Sequence, residues 1–179
     1  MLELRSKTGN GSDYILSTFY IDKIKRSCGK FKYTFAVSVG NLSENVLGFF
    51  KSSSNLDNFR VFFDRKSHLN GLWWNFNNDL HGYYLYVSSF HVGWNKMENG
   101  NENVVTVRSY NPAESTQEWK HFEIVTDFDN HTIAPGWKRS EHVEVETFSN
   151  IELGSYHLVM MVSSNSVVQL LSVEDLSTV

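Results

Sequence analysis

Apolar and polar residues alternate along many short segments of this chain, and the apolar positions are often aromatic. In residues 31–39, for example, Phe31, Tyr33 and Phe35 are separated by polar side chains. Successive side chains of a β-strand point to opposite faces, so this pattern predicts a strand with one face against a core. Residues 82–87, Gly-Tyr-Tyr-Leu-Tyr-Val, form a second segment rich in aromatic positions.

Further strands are predicted where similar segments lie between loops rich in Asn, Ser and Gly. They fall at residues 13–24, 45–51, 59–64, 72–76, 104–108, 119–126, 142–148, 156–162 and 167–171. Three other segments lack the alternation and receive different predictions. Residues 95–103 are predicted as a polar loop, residues 133–137 as an irregular crossing, and residues 171–176 as one helical turn.

The number and spacing of these segments predict an all-β fold. We expect an antiparallel β-sandwich, jelly-roll-like, with ten to twelve short strands. The sequence shows no repeat of fixed period, which argues against a propeller or a solenoid. The chain has 179 residues and no Pro-, Gly- or Ser-rich linker, so we predict one sandwich domain, residues 1–179.

Composition narrows the class of function. The net charge of −4 argues against nucleic-acid binding, which usually needs a basic face. No window approaches the roughly 18 apolar residues of a membrane span, so no membrane insertion is expected. The first residues lack the apolar core of a signal peptide. Cys28 is the only cysteine, which favours synthesis in a bacterial cytoplasm without disulfide formation.

Two carboxylates on the predicted strand 142–148 are the candidates for catalysis. Glu144 and Glu146 would point to one face with Cα atoms about 6.5–7 Å apart, and glycosidases need carboxyl groups at roughly 5–9.5 Å. Concanavalin-like glycosidases use a Glu-x-Asp-x-(x)-Glu strand, and here the intervening Asp is absent. The alternative is a strand with one charged, solvent-facing side.

Metal and cofactor chemistry has little support in the sequence. Asp127 and Asp129 are spaced as in some calcium loops, but calcium needs six or more oxygen ligands, and a turn capped by Asp and Asn explains them equally. The seven histidines form no metal-binding motif, and no phosphate loop or nucleophile elbow occurs. We therefore predict no cofactor, no metal and no enzymatic activity.

Aromatic and amide side chains are the better candidates for binding. Flat aromatic faces beside Asn and Asp suit sugar rings, which stack through C–H groups and bond through hydroxyls. The candidate ligand contacts are Trp74, Tyr84, Trp94, Trp137, Asn99 and Asn101. We place Trp94 and Trp137 in or beside loops. The same aromatic residues could instead fill the core or a subunit interface.

One part of the chain resembles a known class of protein. Residues 82–89 with Tyr-Tyr-Leu-Tyr-Val, the following loop with Trp94, and the Val/Thr segment 104–108 are similar to C-terminal modules of bacteriophage fibre proteins. The resemblance spans about residues 58–110 and has no catalytic or metal motif. It implies a trimeric, β-rich virion component that attaches to a host-surface glycan.

These observations lead to three hypotheses of different classes. The first is a non-enzymatic virion recognition module, a homotrimer that meets host-surface polysaccharide or other virion proteins and is located in the virion. The second is a monomeric carbohydrate-binding or lectin-like domain, cytoplasmic or exported. The third is a glycan hydrolase with a concanavalin-like sandwich that uses Glu144 and Glu146.

Overall fold

A computed structural model describes residues 1–6, 17–41, 43–51, 80–163 and 165–177. These residues form thirteen strands and one short helix. The strands are β1 (Leu2–Arg5), β2 (Ser17–Arg26), β3 (Lys30–Ser38), β4 (Glu44–Lys51), β5 (Gly82–Ser88), β6 (His91–Glu98), β7 (Asn101–Ser109), β8 (Trp119–Asp127), β9 (Thr132–Lys138), β10 (Val143–Val145), β11 (Phe148–Ser149), β12 (Tyr156–Ser163) and β13 (Val167–Asp175). The helix α1 (Pro112–Thr116) lies between β7 and β8. No helix in the described ranges is long and apolar enough to cross a membrane.

The strands form two antiparallel sheets, as the alternation predicts. A seven-stranded sheet has the order β1-β13-β3-β8-β9-β10, with β11 also paired to β9. A six-stranded sheet has the order β2-β12-β4-β5-β6-β7. The all-β sandwich prediction is confirmed.

The main core lies between the two sheets. Aromatic side chains from opposite sheets meet there, as in the edge-to-face pair of Tyr33 on β3 and Phe49 on β4, whose ring centroids are 4.9 Å apart. Tyr83 on β5 likewise packs on Phe148 of β11 at 5.3 Å. Much of the high aromatic content is therefore accounted for by the sandwich interior.

The outer faces of the two sheets differ. On the six-stranded sheet, Val46, Phe50 and Tyr84 are each 0% exposed, so β4 and β5 are buried on both sides. This explains why residues 82–87 show no alternation of apolar residues with charged or amide residues. On the seven-stranded sheet, Lys32 lies 3.6 Å from Glu123 and 3.9 Å from Glu174, which is typical of a solvent-facing surface.

Several segments differ from the sequence-based expectation. Part of the predicted loop 95–103 belongs to β6 and β7, the predicted crossing 133–137 is part of β9, and the predicted helical turn 171–176 is mostly a continuation of β13. The predicted strand 142–148 is divided between β10 and β11. The predicted strands 59–64 and 72–76 lie outside the described residues.

Candidate functional site

The two tryptophans expected in or beside loops lie in strands instead. Trp94 is in β6 and Trp137 in β9, and their side chains are 0% and 1% exposed. The indole N–H of Trp94 donates to Pro135 O at 2.8 Å, which links the two sheets. Trp137 packs edge-to-face on Tyr110 at 5.5 Å. Their expected role as ligand contacts is therefore corrected: both are core residues.

The remaining aromatic candidates do not form a surface site among the described residues. Tyr84 points to the outer face of the six-stranded sheet, where it is fully buried and its hydroxyl bonds to Glu102. It also stacks on Phe50 with ring centroids 5.5 Å apart, so it too is corrected to a buried packing residue. Trp74 lies outside the described residues.

Asn99 and Asn101 flank the tip of a hairpin. Glu98 at the end of β6 pairs with Asn101 at the start of β7. Between them Asn99 and Gly100 have φ values of 51° and 78°, as in a type I′ turn, for which Asn-Gly is the preferred sequence. The turn therefore holds the Asn99 side chain at one end of the sandwich.

A pocket of about 340 Å³ opens beside this turn. Its wall combines carboxylate, amide, imidazole and phenol groups, from His81, Tyr83, Glu98, Asn99, Asn150 and Glu152. Three connections meet there: the β6–β7 turn, the residues before β5, and the segment between β11 and β12. Of the predicted contacts, the structure brings Asn99 into this pocket, with Asn101 next to it but not in its wall.

Two turns, at Asn99 and at Asn150, form the rim of the pocket, and their backbone conformations suit asparagine. Asn150 has a φ of 54°, a left-handed conformation that Asn tolerates better than most residues, as Asn99 does on the other side. Gly100 N–H donates to Leu80 O at 3.1 Å, and Ile151 N–H donates to His131 O at 3.1 Å. Both turns are thus tied by backbone hydrogen bonds to neighbouring connections.

Ion pairs orient the carboxylates of the pocket. Glu152 Oε1 lies 3.2 Å from Lys51 Nζ, and its Oε2 lies 2.9 Å from His81 Nδ1. Glu98 Oε1 lies 3.1 Å from Lys96 Nζ. The side chains of Glu98 and Glu152 remain 46% and 49% exposed, so their oxygens can also accept hydrogen bonds from a bound molecule.

Two tyrosine hydroxyls form hydrogen bonds with the backbone of Glu152. Glu152 N–H donates to the Tyr83 hydroxyl at 3.4 Å, and the Tyr156 hydroxyl donates to Glu152 O at 2.5 Å. Burial raises the pKa of the Tyr83 hydroxyl, so it stays protonated at neutral pH. Tyr83 on β5 and Tyr156 on β12 therefore connect the Glu152 segment of the pocket to the six-stranded sheet.

The carboxylates considered for catalysis are engaged in a different part of the molecule. Glu144 accepts hydrogen bonds from Arg108 at 2.5 Å and from Arg139 at 3.0 Å, and Glu146 accepts one from the Thr106 hydroxyl at 3.0 Å. Burial raises the pKa of Glu144, but the two arginines outweigh it and lower the pKa. A general acid needs the opposite shift, so this geometry favours a structural link between β7 and β10.

The two aspartates considered for calcium accept hydrogen bonds from backbone N–H groups of two turns, their own and the β2–β3 turn. Asp127 accepts from Asn130 N–H at 3.1 Å, and Asp129 accepts from Gly29 N–H at 3.1 Å. In the part of the chain that the structure describes, no group of three or more His, Cys, Asp or Glu side chains could hold a metal ion.

Sequence reasoning missed most of the pocket. Asn150 and Glu152 come from a segment far from Asn99 in the chain, and His81 lies just before β5, so only strand pairing brings these side chains together. One local signal was available: asparagines at turn positions between strands often adopt a positive φ, and here two of them face the same pocket.

Comparisons with known proteins identify the fold class but no family. No family model matches the chain, and no curated protein matches it in sequence. The structure is similar to a legume lectin-like domain from Entamoeba histolytica, with a TM-score of 0.57 and 8% identity over 96% of this chain and 82% of that one. It is also similar to the carbohydrate-binding module CBM66 from Bacillus subtilis, with a TM-score of 0.54 and 13% identity over 97% and 95% of the two chains.

A catalytic domain shares the fold as well. The endo-1,3-beta-glucanase (laminarinase) domain from Thermotoga petrophila matches with a TM-score of 0.50 and 9% identity over 90% of this chain and 69% of that one. At such identities the likeness shows the fold alone. The protein is thus an antiparallel β-sandwich of the kind seen in lectins, carbohydrate-binding modules and some glycan-degrading enzymes.

Proposed function

We propose that this protein is a carbohydrate-binding, lectin-like module whose ligand enters the pocket beside the β6–β7 turn. The observation that carries the proposal is the grouping of two amides, two carboxylates and an imidazole around one opening. Amides both donate and accept hydrogen bonds, and carboxylates accept them, so together they match the hydroxyl groups of a sugar.

The size of the pocket supports a short ligand. Its volume of about 340 Å³ lies near the low end of small-molecule pockets, roughly 300–1,000 Å³. We therefore expect a monosaccharide or disaccharide unit, such as the end or a side branch of a glycan. The descriptions of two similar structures, a lectin-like domain and a carbohydrate-binding module, also support this function.

Replacing the two rim asparagines tests the proposal. Asn99→Gly with Asn150→Gly removes both amides, and glycine keeps the positive φ that each position requires. Each lost hydrogen bond costs about 0.5–1.5 kcal/mol, so the loss of both should weaken binding of a glycan by roughly 5- to 150-fold relative to the unmodified protein. A glycan array followed by calorimetry on the best ligand measures this.

A matched control separates binding from folding. Asn165 also has a positive φ, 62°, but lies in the turn between β12 and β13, at the other end of these strands from the pocket. Asn165→Gly should leave glycan affinity unchanged. The proposal is wrong if no glycan binds, or if the rim variant and the control bind equally well.

We further propose that the module acts in virion attachment as a homotrimer. The resemblance of residues 82–89 and 104–108 to phage fibre modules supports this proposal. Trimeric display would raise a weak affinity for host-surface polysaccharide through effective concentration. Light scattering tests the trimer: a mass near three chains supports it, and a mass near the 20.7 kDa of one chain argues for a monomeric module.

A further inference from the structure

The pocket presents its negative groups directly to a ligand, whereas the lysines paired with them stand outside its wall. Glu98 and Glu152 line the pocket, but Lys96 and Lys51, which pair with them at 3.1 and 3.2 Å, do not. A molecule in the pocket would therefore meet carboxylate oxygens before it met either ammonium group.

The other groups in the wall do not reverse this arrangement. Asn99, Asn150 and Tyr83 are uncharged, and His81 is directed at Glu152 with its Nδ1 2.9 Å from Oε2. No lysine or arginine contributes to the wall of this pocket, as far as the described residues show. An anionic ligand would consequently find two carboxylates and no lining guanidinium or ammonium group to pair with.

We propose that the pocket selects sugars by charge: it prefers amino sugars to neutral sugars and disfavours sugars that carry a carboxylate. This inference rests on the proposed carbohydrate-binding function. An ammonium group on the sugar forms a charge-assisted hydrogen bond with a carboxylate, whereas a uronate is repelled by it. Because both glutamates are about half exposed, we expect steps of about two- to fivefold in Kd.

Matched sets of methyl glycosides test the selectivity across several sugar configurations. For each of the gluco, galacto and manno configurations, the set contains the neutral hexoside, the 2-amino-2-deoxyhexoside and the hexuronide. NMR titration of the full chain gives three dissociation constants per set at low salt. In any set that shows binding, we expect the amino sugar to bind most tightly, the neutral sugar less tightly and the uronate most weakly. The differences in Kd should become smaller in 0.5 M NaCl.

Charge-removing variants assign the effect to the pocket. Glu98→Gln and Glu152→Gln should each bring the ratio of amino-sugar to neutral-sugar affinity toward one. Glu174→Gln is the control, because this exposed carboxylate lies on the outer face of the seven-stranded sheet beside Lys32, and it should leave the ratio unchanged. Circular dichroism confirms that each variant is folded.

The outcomes separate this inference from the function on which it rests. A uronate that binds as tightly as the neutral sugar, or more tightly, overturns the charge selectivity and leaves carbohydrate binding intact. An amino-to-neutral ratio that persists in both Gln variants also overturns it. If no member of any set binds and the glycan array is also blank, the proposed function itself fails.

Discussion

Replacing Trp94 by phenylalanine tests whether this side chain serves the core or a ligand. The change removes the indole N–H that donates to Pro135 O at 2.8 Å across the two sheets. It also removes part of a side chain that is 0% exposed. If Trp94 is a core residue, stability should fall while the affinity of the folded protein for its ligand stays the same.

The structure sets the size of the effect. Pro135 O keeps a second donor, the Glu146 N–H at 3.2 Å, so the lost hydrogen bond should cost about 1 kcal/mol rather than the full penalty of an unpaired carbonyl. The smaller ring leaves a cavity worth about another 1–2 kcal/mol. Together these losses of about 2–3 kcal/mol should lower the Tm by roughly 4–12 °C for a chain of this size.

Urea unfolding followed by far-UV circular dichroism measures the change, with calorimetry for ligand affinity. Phe90→Leu is the control, because Phe90 is 68% exposed and surface substitutions of this kind usually stay within about 0.5 kcal/mol. Unchanged stability of Trp94→Phe together with weaker ligand binding would refute the core assignment.

Two further predictions concern stability. Gly48→Ala should destabilise the protein by about 2 kcal/mol or more in urea unfolding, because a Cβ there would lie 2.2 Å from Tyr84 Cβ and 2.6 Å from Tyr83 O; wild-type stability would contradict the close strand packing. Burial raises the pKa of Glu114, but hydrogen bonds from Arg139 and from Asn111 N–H outweigh it and hold the pKa below the usual 4.5. The stability this carboxylate contributes is therefore present above pH 4.5 and is lost as pH falls through the lower folded pKa, so Glu114→Gln should be less stable at pH 7 and decline less steeply in acid; parallel pH profiles would argue against this ion pair.

Strands in which apolar and polar residues alternate could be predicted from the sequence. A strand that contains a proline, such as β9, could not. β3 alternates cleanly, so residues 31–39 were predicted as a strand, close to the observed Lys30–Ser38. β9 contains Pro135, which suggested an irregular crossing, but β10 pairs only with residues 136–138 and β11 only with residues 132–133. Neither β10 nor β11 pairs with residue 135, so no backbone N–H is needed there for a hydrogen bond to these strands, and a proline is tolerated.

β6 was missed for a related reason. Five of its eight positions are buried, and they include Asn95, while Lys96 is partly buried, so neither alternation nor an apolar run marks it. The candidate site shows the same limit: Asn99 was predicted from its turn, whereas Glu152 reaches the pocket through the long-range pairing of β12 with β4, and His81 through the pairing of β5 with β6. The sequence around Trp94 suggested a loop residue available for binding, whereas the structure buries its side chain between the two sheets.

The strand order has a consequence for the kinetics of folding. In the six-stranded sheet β12 lies between β2 and β4 and pairs with both, and in the seven-stranded sheet β13 lies between β1 and β3 and pairs with both, so we call β12 and β13 the bridging strands. Both bridging strands are made after all of their partners, and synthesis proceeds at about 5–20 residues per second. During that interval β3 and β4 each lack one neighbour, which leaves open edges and apolar faces on the nascent chain. We expect this protein to fold late and slowly during its synthesis, and to depend on chaperones more than its size alone would suggest.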